Sequence, residues 1–552
     1  MRAFNLSTIT TRLAVVLLSL MATTLSTAQV MIQYNGNSAN VTVPNTVKGV
    51  TYSINGANVV INSSTTTTEY TYRVSGTSTD GSLTINGNYK LTLILAGLNL
   101  TNQHGGAAID VECGKRISVE LASGTVNTLA DAATGTQKAA LYFKGHPEFK
   151  GSGTLCVTGN LKHAICAKEY IQFKSSLGYI NILGAVADGI HCGKGKVENE
   201  HNYFEMNGGT VNINHVGNDG VDADDYGVIR INGGAISANI GDEGTGLKAD
   251  SILNISGGQV NLLVNGHGSE AIKANHNVNI SGGETYITMT GEGAKGIRSK
   301  QQTTGTVLNG GQINFSGGSA FIEISGGDYI LGTDTTRCIG VHADAGFTQT
   351  DGYLRILAMG HDVYTHQIED ETQLTGGTLE TIRIPWVFHP HACQYDMSVF
   401  AIVKENGVSL SDYSQVAVGA FIDGQCAGYG YFESADYGII RIHSAINELR
   451  DVSFRLYDYA TATEYPLTAD RAVRFADTSV AGTPSSPVVL ELLRGLMGDV
   501  NIDGEINVTD VMMTVNYIIG NNPKGFHPEL ADLNDDGEIN IVDAMIIVNI
   551  IL

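Results

Sequence analysis

One tryptophan, nine prolines and seven cysteines in 552 residues rule out several common designs. The single Trp386 removes the flat indole platforms on which neutral sugars usually stack, although 23 tyrosines remain. Seven thinly spread cysteines are an odd count and do not make a disulfide scaffold; only a pairing of Cys393 with Cys426 stays open. Positive charge is also scarce, with 32 Lys and Arg against 55 Asp and Glu and a formal net charge of -23, so nucleic acid and anionic lipid are excluded as direct partners. Past the first residues no run is apolar enough to cross a bilayer, and no long helical periodicity precedes the C-terminus.

What is abundant is glycine, 67 residues of it, with few charges, a composition that suits many short strands joined by Gly and Asn turns. At the N-terminus Arg2 and Arg12 precede an apolar stretch, Leu13 to Met21, and small residues ending at Ala28. This pattern predicts a secretory signal peptide over residues 1–28 and a secreted, extracellular or surface-associated protein. Losing Arg2 and Arg12 takes the net charge from -23 to -25.

From Ala107 to Ala343 one phrase returns as "AAIDV", "AALYF", "HAICA", "DGIHC", "DGVDA", "TGLKA", "EAIKA", "KGIRS" and "IGVHA". Its branched residue falls at Ile109, Leu141, Ile165, Ile190, Val221, Leu247, Ile272, Ile297 and Val341. Double glycines beginning at Gly208, Gly233, Gly257 and Gly282 keep the same beat. A unit of about 25 residues cannot bury its own apolar face, whereas stacked units can. The expected fold is therefore mainly β: a right-handed parallel β-helix over residues 29–385, preferred to a propeller, whose repeats are longer.

Period-two alternation turns the residue after each branched position outward, which gives the column His191, Asp222, Lys248, Lys273, Arg298. Adjacent cations at strand spacing repel by roughly 3 kcal/mol at an effective dielectric near 20, so an anion on the column would stabilise it. Asp188, Asp219, Asp222, Asp224, Asp225 and Asp250 form an acidic corner beside it, the hard-oxygen clustering that suits Ca²⁺. A metal next to a Lys/Arg ladder is the chemistry that recognises uronate carboxylates; turn formation and solubility are the plainer explanation of the same residues.

These phrases resemble a family of secreted, calcium-binding carbohydrate-binding proteins similar in fold to pectate lyases, over about residues 45–380. The resemblance implies affinity for acidic plant polysaccharide such as polygalacturonate. A lyase of that fold would pair Ca²⁺ with a Lys base, for which Lys248 and Lys273 are the candidates; a purely structural surface protein is the third reading.

Beyond the repeat, "SVFAIVKENG", "AVGAFIDGQCAGYG" and "VSFRLYDYATATEYPL" alternate as strands and predict a β-sandwich at residues 390–495, resembling an accessory module frequent in multidomain secreted proteins of gut-type bacteria. Two loops then follow, "DVNIDGEINVTD" and "DLNDDGEINIVD". Asp499, Asn501, Asp503, Glu505, Asn507 and Asp510, and again Asp532, Asn534, Asp536, Glu538, Asn540 and Asp543, occupy EF-hand positions 1, 3, 5, 7, 9 and 12, with Gly504 and Gly537 at the turn. Asp at position 12 and the lack of a preceding helix resemble a type I dockerin over residues 498–552, which implies Ca²⁺ and a cohesin partner. Positions 10 and 11 are Val508, Thr509, Ile541 and Val542, where a cellulosomal dockerin often carries hydroxyls.

Overall fold

The computed structural model describes residues 29–193, 202–304, 307–360, 363–368, 371–388, 393–405, 407–432, 436–492, 495, 497–503, 505–534 and 536–552. The signal-peptide segment 1–28 and Gly504 lie outside them. The chain divides into two compact units, Met1–Ala358 with Asp362–Ile382, and Met359–His361 with Arg383–Leu552.

In the first unit the chain passes repeatedly between an 18-stranded and a 13-stranded sheet, and apart from hairpins near its start the pairing within each is parallel. The middle of the 13-stranded sheet consists of β1 (Ile109–Glu112), β2 (Ala139–Phe143), β3 (His163–Ala167), β4 (Ile190–Cys192), β5 (Val221–Ala223), β6 (Thr245–Ala249), β7 (Glu270–Ala274), β8 (Lys295–Ser299) and β9 (Cys338–Ala343). Their branched residues are aligned in register from Ile109 through Leu141, Ile165, Ile190, Val221, Leu247, Ile272 and Ile297 to Val341. All are buried in one continuous core. A strand pair spaced 25 residues apart puts like on like, and like packs on like: Phe149, Phe173 and Phe204 stack edge to face at 5.3 and 5.2 Å. On the opposite face of the large sheet Asn314 donates its amide to Asn279 at 2.8 Å and Asn279 donates to Asn254 at 2.9 Å.

The double glycines mark where the chain turns tightly. Gly258 and Gly283 have φ of +78° and +76°, and a Cβ on either would come within 2.7 and 2.6 Å of the carbonyl oxygen of Gly234 and Gly258 one repeat earlier. Positive φ and backbone approach both require glycine, so the repeat conserves its corner as strictly as its core.

In the second unit the strands expected as a sandwich form one sheet that closes on itself. Tyr395–Glu405 pairs with Gly438–Ser444, the order continues to Thr463–Ala469 and Val488–Leu492, and Val488–Leu492 returns to lie parallel to Tyr395–Glu405. Alternation reads identically in a sandwich and a closed sheet, since each has one inward face, so the sequence pattern could not separate them. Cys426 is a free thiol donating to the Gly428 carbonyl, and the pairing with Cys393 is not made. Trp386 packs edge-on against Phe421 and donates its indole N–H to Glu464, a structural use of the lone indole.

Two helices follow, α1 (Val508–Ile518) and α2 (Ile541–Ile551), each begun by a capping box in which Asn507 or Asn540 caps and Asp510 or Asp543 reaches back. No described helix is long and apolar enough to cross a membrane.

Candidate functional site

Register across β1 to β9 builds one polar column: Asp110, Tyr142, Cys166, His191, Asp222, Lys248, Lys273, Arg298 and His342. Every residue of the column read from the sequence lies on it. Its cations, however, have partners inside the protein. Lys248 Nζ is 2.9 Å from Asp219 Oδ2 and 3.2 Å from Asp222 Oδ1. Lys273 and Arg298 both pair with Glu270, Arg298 at 2.8 Å. The repulsion expected along the column is thus partly offset by buried carboxylates, and Glu270, 5% exposed, is the one the sequence reading missed. Its signal was available, three residues before Lys273 in "EAIKA".

Glu270 does not balance its surroundings. Lys295 is buried and pairs in register with Glu270, and Lys300 follows β8 directly, so four cations gather near one buried carboxylate, with the half-buried Asp344 acting on Lys300 as well. Burial and then the neighbouring cations push the ammonium pKa of Lys295 and Lys300 down, whereas Lys273 and Arg298 overcome burial to hold Glu270 below the ordinary carboxylate range.

The acidic corner is brought together in part. Asp188, Asp219 and Asp222 present oxygens within 4.8 Å of one another, and a ring nitrogen of His191 lies equally close to oxygens of Asp222 and Asp224. Asp219 N–H donates to Asp188 Oδ1 at 3.2 Å and Thr245 N–H to Asp219 Oδ1 at 2.9 Å, so one oxygen of each carboxylate ties the next turn in place. Asp250 sits beyond, receiving the Asn275 amide at 3.0 Å; burial, then Asp224 and Asp222, push it up. Asp225 is not in these groups: with Tyr226 it forms a left-handed turn, φ +50° and +65°. The structure adds His163, whose place in "HAICA" matches that of Asp188 in "DGIHC". Burial opposes protonation of His191, yet Asp188 and Asp222 together lift its pKa to about 9, while burial lowers that of His163.

At the other end of the column Asp110, Glu112, Gln137, Lys138, Tyr142 and Lys168 line a cleft. Burial, then Glu112, push Asp110 from 3.8 up to about 6, and its Oδ1 has no hydrogen-bond partner. A carboxyl with a raised folded-state pKa binds its proton more tightly in the native chain. Its ionisation therefore costs stability as pH rises from about 4 to 6, roughly 2 kcal/mol after allowance for partial exposure. Asp110→Asn should accordingly melt higher than the parent near pH 7 and lose that advantage near pH 4, measured by thermal unfolding at both.

The large sheet also carries a half-buried aromatic pair. Tyr286 and Phe321 stack at 5.1 Å and 9°, so they cover each other's faces and turn edges outward.

In the C-terminal loops the groups at positions 1, 3 and 5 converge alike. Asn501 and Asn534 donate to Asp503 and Asp536 at 2.8 Å in each, and Asp503 N–H and Asp536 N–H donate to Asp499 and Asp532. Asp510 is fully buried with Oδ1 orphaned, which fits a cation in the first loop. Asp543 Oδ1 instead receives Leu533 N–H at 2.9 Å. Asn507 and Asn540 direct their side-chain oxygens at Thr509 N–H and Val542 N–H, so at position 9 they serve as caps. Glu505 and Glu538 donate backbone N–H groups to Asp503 and Asp536. Val508, Met512, Ile519, Ile541, Val542 and Met545 leave apolar surface on the helices.

Residues 55–320 match the family model of carbohydrate-binding domain-containing proteins, and residues 497–552 match that of the dockerin type I domain. Among solved structures, the polysaccharide lyase-like protein from C. thermocellum, a gadolinium derivative, is similar at 17% identity over 63% of this chain and 99% of that one. The TM-score between the two is 0.26. No curated protein matches the chain.

Proposed function

We propose, from a chain that joins a carbohydrate-binding-domain segment to a type I dockerin, that this secreted protein binds acidic polysaccharide along the polar column and is carried to it by a cohesin. The observation that carries the reading is the gathering of Lys273, Lys295, Arg298 and Lys300 around a single buried carboxylate, in a chain of net charge -23. An anionic chain laid across the strands, along the column, would relieve that crowding through charge-assisted hydrogen bonds. A polymer of uronic acid repeats its carboxylates as the sheet repeats its cations.

The proposed domains are a signal peptide over 1–28, a right-handed parallel β-helix over 29–385, an accessory β module over 390–495 and a dockerin over 498–552. In the dockerin, Asp499, Asn501, Asp503, Asp510 and their counterparts Asp532, Asn534, Asp536 and Asp543 would hold Ca²⁺, with backbone oxygens of Glu505 and Glu538. On the β-helix, Asp224 and Asp250 are the corner carboxylates left to meet a hard cation, with burial and then the neighbouring Asp224 and Asp222 raising Asp250. A bound Ca²⁺ would supply a bridge from this corner to a uronate carboxylate. Asp219 and Asp222 are engaged by Lys248.

The eliminase reading needs a base that can give up its proton. Lys248 sits between two carboxylates, Asp219 and Asp222, which hold it as the charged ammonium, and Lys273 is taken up in an ion pair with Glu270. Binding without cleavage is the better supported reading.

Full-length protein should be retained on immobilised polygalacturonate in Ca²⁺ and less in chelator, with no new ultraviolet absorbance. Lys273→Ala and Lys300→Ala together should weaken retention by about tenfold for each lost contact. Rising absorbance would establish elimination, and no retention in either buffer would end the uronate reading.

A further inference from the structure

We propose that His163, Asp188, His191 and Asp222 form a binding site for a divalent transition metal of the zinc class, distinct from the calcium sites. The four residues come from three successive turns: His163 on β3, Asp188 just before His191 on β4, and Asp222 on β5. His163 Nδ1 and His191 Nδ1 each lie 3.0 Å from the same oxygen, Asp188 Oδ2, and His191 Nδ1 lies 3.1 Å from Asp222 Oδ2. The two imidazoles stack at 4.3 Å and 15°. His163 and Asp188 are each 3% exposed, and Asp222 5%.

Hydrogen bonds alone leave this arrangement short of protons. Asp188 N–H donates to His163 Nδ1 at 3.3 Å. The same nitrogen lies 3.0 Å from Asp188 Oδ2, and it cannot accept from the N–H and donate to the carboxylate at once, so one of these buried groups is left without its partner. His191 Nδ1 has at most one hydrogen for two carboxylate oxygens. A cation among the four atoms removes both deficits. Tetrahedral Zn²⁺ with bonds of about 2.0–2.1 Å keeps its ligands about 3.4 Å apart; the three contacts among these donors are 3.0, 3.0 and 3.1 Å, and His163, Asp188 and His191 present ligand atoms within 4.8 Å of one another, with Asp222 reached through His191.

The neighbours aim these donors. Asp188 Oδ1 is held by the Asp219 N–H at 3.2 Å, which turns Oδ2 toward the imidazoles. Asp222 Oδ1 lies 3.2 Å from Lys248 Nζ, which frees Oδ2 for the same point. Such outer partners orient metal-binding carboxylates and fix which oxygen ligates. Two imidazole nitrogens favour Zn²⁺, Co²⁺, Ni²⁺ or Cu²⁺ over the all-oxygen preference of Ca²⁺, and two carboxylates neutralise the ion's charge. Asp188 and Asp222 thereby leave the calcium set. The site pins three turns together beside the cation patch, and it stands whether or not the chain binds polysaccharide.

The probe is Co²⁺, added to untagged, metal-stripped full-length protein in excess Ca²⁺, so that hard-oxygen sites are filled. A single equivalent should develop the intense visible d–d bands of four-coordinate cobalt, and Zn²⁺ should bleach them. His163→Gln and His191→Gln should each weaken binding by about 100-fold. Zn²⁺ should also raise the thermal midpoint of the parent chain, which tests the site even if a variant fails to fold. Absence of bands together with no Zn²⁺ stabilisation overturns the proposal. So do bands that persist in both histidine variants, or bands that excess Ca²⁺ abolishes.

Discussion

Chelating calcium from the full-length protein should erase most of its helical circular-dichroism signal and leave the β signal in place. The assay is selective because α1 and α2 are the α-helices of the described residues, and both start inside a proposed calcium loop. From residue 498 to the end there are ten acidic residues and one Lys524, a net charge of -9. The core beneath them is small, with Val500, Leu530, Ala531 and Ile547 its only fully enclosed members among the described residues. So few apolar contacts cannot hold nine excess negative charges together without a counter-ion, and metal binding becomes folding. Asp510→Asn should weaken calcium on the order of 100-fold, because it removes the one carboxylate that is fully buried with an oxygen left over. Asp543→Asn should act partly through structure, since its oxygens also receive Leu533 N–H and Asn540 N–H. A helical signal indifferent to chelator would mean that the loops fold as an end cap without metal.

The repeat was legible because parallel stacking converts sequence period into spatial register. Aligning Ile190, Val221, Leu247, Ile272 and Ile297 by their phrases is the same operation as pairing β4 to β8, and the column beside them followed at once. What the phrases did not reveal is which way long side chains bend. Glu270 and Lys273 are three residues apart in sequence yet meet across the strand, and Asp219 reaches Lys248 on the next turn. Free-standing cations were expected where the protein had already provided anions. The corner was legible only in part, for a similar reason. Six aspartates look equivalent as letters, but Asp225 is consumed by a left-handed turn and Asp188 is held by two histidines. His163 went unnoticed since a search for hard-oxygen ligands passes over imidazole. Closure of the second sheet depends on which edge the strand Val488–Leu492 meets, a long-range fact that alternation does not contain.

Glu270→Gln should be the most destabilising single change on the polar face, by about 3–5 kcal/mol, because it leaves Lys273 and Arg298 without their shared carboxylate beside Lys295 and Lys300. The sign with pH follows from its depressed pKa. Its contribution is complete above the ordinary glutamate value, 4.5, and is lost as pH falls through the lower folded-state value. Parent and variant should therefore converge in melting temperature in acid and diverge near neutrality. Salt should narrow the gap only in part, since these cations are sheltered by the sheet. The same variant also tests the proposed ligand. If a uronate carboxylate sits where the cations crowd, polygalacturonate should raise the melting temperature of Glu270→Gln more than that of the parent, the polymer supplying the missing anion. Equal stabilisation of both proteins would place the polysaccharide elsewhere on the chain. Equal melting temperatures without ligand would mean that the four cations are solvated and that the ion pairs contribute little.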